Sequence, residues 1–395
     1  MKLGISGSVK NHFRNHLEND KNVMKITIER ASLMKSLAHV QSVVERRTTI
    51  PILSNVKLDA HGGRLSLNAT DMDLDIVETV ECEVITEGAT TAPAHMLYDI
   101  VRKLPDGSQV ELDNGANEEL LTLRAGRSKF TLACLPTMDF PVMSGGELDH
   151  NFALPAGELK GIIDRTRFAI STEETRYYLN GIYMHAGENN GVPVLRSVAT
   201  DGHRLASVEV PLPDGSADMP GVIVPRKTVG ELRKLIDETN DDVSVSLSET
   251  KIRFAFGEVV LTSKLIDGTF PDYERVIPTG NDKMMELDCK TFAAAVDRVS
   301  AISTEKSRAI KLAIAPGALV LSASSPDAGS ATEEIEVSYS AENIEIGFNS
   351  KYLLDIAQQV EGETAQFMLS DGGSPTIVRD ASDASALYVL MPMRV

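Results

Sequence analysis

Three side chains that could do chemistry stand together in the segment Thr200-Asp201-Gly202-His203-Arg204-Leu205. An aspartate, a histidine and an arginine this close could serve a phosphoesterase as metal ligand, general base and phosphate clamp. Such an enzyme needs a second acidic–histidine cluster, a glycine-rich phosphate loop or a strained nucleophile turn beside it. The sequence offers none of these. Cys82, Cys134 and Cys289 are far apart and form no CxxC or Cys/His ligand pair. Neither a structural zinc site nor a disulfide framework is expected, and a reducing cytoplasm suits the chain. No cofactor or metal is expected, and the reading is a binding protein rather than an enzyme.

The elements that must position these residues repeat. The chain has 395 residues and is 42% hydrophobic, which is too long for one core and sufficient for two or three. No apolar run approaches a membrane span and no signal peptide is read. Residues 1–23 are polar and without period, and are read as a disordered extension. From Met24 onward a pattern occurs three times. Ile26 and Ile28 alternate and then give way to Leu33, Leu37 and Val40 at helical spacing. Phe152 and Leu154 lead in the same way to Leu159, Ile163 and Thr166, and Met285 and Leu287 to Phe292, Val296 and Val299. Each copy predicts a strand of period two running into a helix of period 3.6.

A second helix is predicted in each copy. Its anchors are Leu97, Ile100, Val101 and Leu104, then Val229, Leu232 and Ile236, then Leu353, Ile356 and Val360. Pro93 and Pro225 stand just before the first two, where a missing N–H costs nothing. Alternating β-type runs separated by turns such as His61-Gly62-Gly63 fill the rest. The fold class is therefore α+β, in three tandem copies of two helices with antiparallel sheet. The expected divisions are 24–147, 148–279 and 280–395. Three such units can form an arc that stays open or closes by self-association.

Net charge is −18, from 39 basic and 57 acidic residues, which argues against tight non-specific nucleic-acid binding by the chain as a whole. The helical stretches 29–47, 225–238 and 289–308 run the other way, with twelve basic against seven acidic residues. His95, Lys227 and Lys351 each lie two positions before the first anchor of a second helix. A cation there opposes the helix dipole by roughly 0.3–1 kcal/mol, which points to a polyanion in front of it. The C-terminal segment Tyr388-Val-Leu-Met-Pro-Met-Arg-Val395 is apolar and stiffened by Pro392, unlike an ordinary frayed tail.

Several longer segments then fall in order: RRTTIPILSNV (46–56), GRSKFTLACLPTMDFP (126–141), RYYLNGIY (176–183), ATDGHRLA (199–206), SKLIDGTFPDYERVIP (263–278), IGFNSKYLLD (346–355) and the terminal YVLMPMRV. Together they closely resemble the bacterial sliding clamp family, the β subunits of replicative DNA polymerase III. The resemblance covers residues 24–395. It implies a head-to-tail homodimeric ring of six like domains, with helices inside and sheets outside. Such a ring encircles duplex DNA without regard to sequence and tethers polymerases by effective concentration.

The resemblance also implies a partner groove for short linear motifs. Its walls would be Leu179, Thr200, Gly202, His203, Arg204, Leu205, Pro271, Val276, Val389, Met391, Pro392, Met393, Arg394 and Val395, flanked by Arg176 and Tyr352. Methionines suit a surface that serves many partners. The DNA-facing residues would be Arg47, Tyr177 and Tyr178, to which the helix-start positions add Lys227 and Lys351. The dimer seam would use Phe130 and Ile302. Implied partners are DNA polymerase subunits, an ATP-driven clamp loader, other proteins with clamp-binding motifs and a second copy of the chain, with no membrane. The alternative is a protein-assembly scaffold that does not encircle DNA.

Overall fold

The computed structural model describes residues 23–115, 119–143, 146–303 and 308–394. They form two compact units, residues up to 146 together with 253–263, and 147–252 together with 264 onward.

In the first unit the strand Lys25–Glu29 runs directly into helix α1, Arg30–Gln41. The Glu29 carboxylate caps that helix by accepting the Ser32 N–H at 3.1 Å. Leu33, Leu37 and Val40 are buried, as their spacing predicts. Helix α2, Ala94–Lys103, packs on α1. Arg30 ties the two together: it is buried and donates to the Val101 and Arg102 carbonyls at 3.1 and 2.6 Å. A cation placed there satisfies the open carbonyls at a helix C-terminus. One sheet of this unit has the strand order Glu83–Thr86, Lys25–Glu29, Gln109–Asp113, Leu120–Ala125, Ser128–Ala133. In the other, Asn55–His61 and Arg64–Thr70 form a hairpin with His61 opposite Arg64. Gly62 and Gly63 both have positive φ, 58° and 78°, as the two-residue turn between such strands requires.

The second unit holds helices α3 (Ala156–Thr166), α4 (Arg226–Leu235), α5 (Cys289–Ser300) and α6 (Ser350–Ala357). Asp288 caps α5 by accepting the Thr291 N–H at 2.7 Å, and Asn349 caps α6 by accepting the Lys351 N–H at 2.9 Å. Pro93 and Pro225 occupy the N-cap positions of α2 and α4. Ile100 is only half-buried, and Val360 lies beyond the end of α6.

The second and third repeats share one eight-stranded sheet. Its order is Val222–Pro225, Gly181–Asn189, Val192–Thr200, Arg204–Pro211, Ala386–Leu390, Thr376–Asp380, Thr364–Leu369, Lys283–Asp288. The join is the antiparallel pairing of Arg204–Pro211 with Ala386–Leu390, in which Leu205 faces Val389. A four-stranded sheet, ordered Gly329–Glu336, Ala318–Ser325, Ala309–Ala315, Ile344–Asn349, completes the third repeat. Among the described residues no helix is long and apolar enough to cross a membrane.

Candidate functional site

The terminal strand positions the candidate groove. After Leu390 the Met391 N–H extends the pairing by donating to the His203 carbonyl at 3.0 Å, and the Met393 N–H then crosses to the Gly347 carbonyl of the strand Ile344–Asn349 at 2.8 Å. The segment is thus fixed by backbone at Met391 and Met393, and Met391 keeps 38% of its surface exposed. Pro392 and Met393 are half-buried and Arg394 is exposed. Val395 lies outside the described residues.

Beneath this segment is an apolar cluster of Leu179, Val198, Leu205, Ile223, Phe270, Tyr273 and Val389. Three of the expected groove walls, Leu179, Leu205 and Val389, belong to it and are nearly fully buried. Pro271 and Val276 are exposed, and the short turn Tyr273–Val276 joins the cluster, through Tyr273, to Val276. The aromatic members were not singled out from sequence. Phe270 stacks on Tyr183 with ring centroids 4.8 Å apart, and Tyr273 meets Phe270 edge-on at 6.3 Å. Both lie within FPDYERV, where two large apolar residues three apart were the available signal.

The Thr200–Leu205 segment is a hydrogen-bonded turn. The Asp201 carboxylate accepts the His203 and Arg204 N–H groups at 2.9 and 3.1 Å. The Thr200 hydroxyl donates to the Arg204 carbonyl at 2.7 Å and accepts the Gly202 N–H. Gly202 has φ +87°, which favours glycine, and its bare backbone also leaves room for the Arg176 guanidinium, a nitrogen of which would lie 2.5 Å from a Cβ there. Arg176 forms a two-point pair with Glu173 at 2.7 and 2.8 Å, and this holds the Glu173 carboxyl below its usual range.

Arg204 is buried and bonded through all three of its guanidinium nitrogens. It bonds Asp201 at 3.1 Å, Asp355 at 2.5 Å and the Phe168 carbonyl at 2.6 Å. Its guanidinium also lies over the Tyr352 ring at 4.3 Å and the Phe168 ring at 5.0 Å. It bolts α6 to the second repeat, each of its three nitrogens being bonded within the protein. Asp201 likewise serves its own turn. The exposed His203 ring stacks on Tyr352 at 6.4 Å. The triad that reads as phosphoester chemistry is therefore the scaffold of the groove edge. Among the described residues no group of three His, Cys, Asp or Glu side chains is gathered as a metal site.

The remaining candidates lie elsewhere. Tyr177 is 53% exposed and meets the half-buried Tyr178 edge-on, both on the turn Glu174–Leu179. Arg47 is exposed in the bend beyond α1. Lys351 is exposed and Lys227 half-buried, each in the first turn of its helix. His95 differs, because its ring bonds Gln41 at 2.7 Å and the Val44 carbonyl at 3.0 Å. On α4, Arg233 pairs with Asp164 at 2.8 Å and Lys234 with Glu231 at 2.8 Å, so part of the positive charge there is neutralised locally. Phe130 is half-buried on the edge strand Ser128–Ala133, and Ile302 half-buried just after α5.

Comparison with known proteins agrees along the chain. Residues 24–144, 153–272 and 274–394 match the N-terminal, central and C-terminal domains of the DNA polymerase III beta subunit. The chain is 55% identical to the beta sliding clamp of Caulobacter vibrioides over 94% of its own length and all of the relative's. It is 39% identical, over the same shares, to that of Escherichia coli K12. Among solved structures, the Bartonella birtlesii clamp bound to griselimycin superposes with TM-score 0.92 at 53% identity, covering 94% of this chain and all of that one. The Caulobacter crescentus clamp does so at 0.93 and 54%, covering 95% and all. The chain belongs to the bacterial beta sliding clamps, the beta subunits of DNA polymerase III.

Proposed function

We propose that the chain works as a DNA sliding clamp: two copies close head-to-tail around duplex DNA and tether replicative and repair polymerases. The six helices of each copy's three domains, 24–147, 148–279 and 280–395, would face the DNA, with Arg47, Tyr177, Tyr178, Lys227 and Lys351 toward it. A weakly basic bore in a chain of net charge −18 would centre the duplex while making few fixed contacts, so the ring could slide. The observation that carries the reading is the terminal segment held against the second repeat by the Leu205–Val389 pair and the Met391–His203 bond. An adaptable, exposed methionine two residues beyond Val389 of the apolar cluster supports a surface suited to short linear motifs of polymerases, the ATP-driven loader and other partners. The clamp would bind rather than catalyse. The non-encircling scaffold gains no specific support.

Topology gives the test. The chain, loaded by an ATP-driven loader, should remain on a closed circular duplex and leave when the circle is linearised. Lys227→Glu with Lys351→Glu should shorten that retention several-fold without changing motif-peptide affinity. Equal retention on circle and free-ended linear DNA would reject encirclement.

A further inference from the structure

The sheet that carries the groove continues past it to a cavity of about 280 Å³ lined mostly by polar and charged residues. Paired residues of antiparallel strands share a face, and residues two apart along a strand return to it. The rung Thr200–Leu205–Val389 underlies the groove. The next rung, about 7 Å along, is Val198–Ser207–Leu387, and the one after pairs Arg196 with Glu209. Arg379 stands two residues from Ile377, which pairs with Val389, so it shares this face. Ser207, Leu387, Arg196, Glu209 and Arg379 all line the cavity. Tyr273 is common to both sites: its ring belongs to the cluster beneath the groove and its hydroxyl accepts from Arg196 at 3.1 Å.

The two arginines of the cavity differ. Arg196 is saturated, with Glu209 at 2.7 Å, Glu274 at 2.9 Å, the Tyr273 hydroxyl and the Glu188 carbonyl. Glu209 is further engaged by Asn189 at 2.6 Å. Arg379 is half-buried, its Nε is wholly buried without a hydrogen-bond partner, and it forms no ion pair among the described residues. An unpaired guanidinium N–H out of water, in a chain carrying an excess of acid, calls for an anionic acceptor, and its fork fits a carboxylate.

We propose that this cavity is a subsite continuous with the partner groove, in which Arg379 takes the carboxylate of an Asp or Glu flanking a partner's apolar motif. The inference rests on the groove reading. Two to four extended residues span the rungs between the two sites.

The test uses the full chain and labelled Gln-Leu-x-Leu-Phe peptides: the bare motif, and the motif with Glu or Gln two to four residues beyond it on either side. With Glu on one side, affinity should rise at least five-fold over the Gln peptide. The gain should vanish in Arg379→Gln while the bare motif binds as before. Equal Glu and Gln affinities with a binding bare motif would overturn the subsite and leave the groove reading standing. If the bare motif does not bind, the groove reading fails, and the Arg379 Nε–H resonance decides the subsite. A saturable shift with the Glu peptide and none with the Gln peptide supports it, and no shift rejects it. Should Arg379→Gln not fold, the Glu preference of the natural chain must shrink with added salt, and a salt-independent preference would also reject the pairing.

Discussion

Asp75 is buried on the strand Leu74–Glu81, its Oδ1 without a hydrogen-bond partner, and burial pushes its carboxyl up to about 6, against the smaller opposing pull of Asn68 and Arg253. A carboxyl whose folded value lies above its unfolded one favours the folded state most below the unfolded value of 3.8, and that contribution is lost as pH rises through about 6. At 1.36 kcal/mol per unit the loss is at most about 3 kcal/mol. Asp75→Asn should therefore match the natural chain near pH 4 and exceed its stability by up to that amount near pH 8, read by urea unfolding at both. A difference independent of pH would mean that Asp75 stays ionised. Other single residues resist reading from sequence for a related reason, their partners being remote. Arg204 looked chemical beside Asp201 and His203, yet its role is set by Asp355, 151 residues away, and by Phe168. Arg379 carried no signal, because what distinguishes it is a missing neighbour.

Helices and strands of the repeat were legible, since strand anchors such as Ile26 and Ile28 and helix anchors such as Leu33, Leu37 and Val40 are all buried where period predicts. The order of strands was not legible. Nothing local says that Ala386–Leu390 inserts between Arg204–Pro211 and Thr376–Asp380 and so fuses two repeats into one sheet. That pairing also separates two parts of the C-terminus. Tyr388, Val389 and Leu390 are nearly fully buried and belong to the core, whereas Met391 onward is held by two backbone hydrogen bonds. A chain ending at Leu390 should fold, with a stability loss of about 2 kcal/mol at roughly 1 kcal/mol per bond. Its affinity for a Gln-Leu-x-Leu-Phe peptide should fall at least ten-fold by anisotropy. Undiminished binding by the folded, shortened chain would place the partner site elsewhere.

At the scale of the whole molecule, the proposed ring would close through a seam that one chain cannot form with itself. Phe130 lies on Ser128–Ala133, an edge strand, whose free N–H and C=O groups remain open to pairing. It also lines a cavity of about 650 Å³ with Met96, Ile100 and Leu104, and Met96 is 55% exposed. An open, largely apolar surface of this kind marks an interface more often than idle surface. Ile302, just after α5, would be its counterpart on the second copy. A head-to-tail dimer has two equivalent seams, so each substitution acts twice. If truncation at a seam costs about 2 kcal/mol, the pair costs about 4, close to a thousand-fold in the dimer dissociation constant. The proposed ring makes the natural chain sediment as a dimer, and Phe130→Ala with Ile302→Asp should sediment as monomer at the same concentration. It should still bind the motif peptide, because the groove lies wholly in the second unit. A dimer that persists unchanged would move the seam away from these residues, and loss of peptide binding would show that the substitutions had damaged the fold instead.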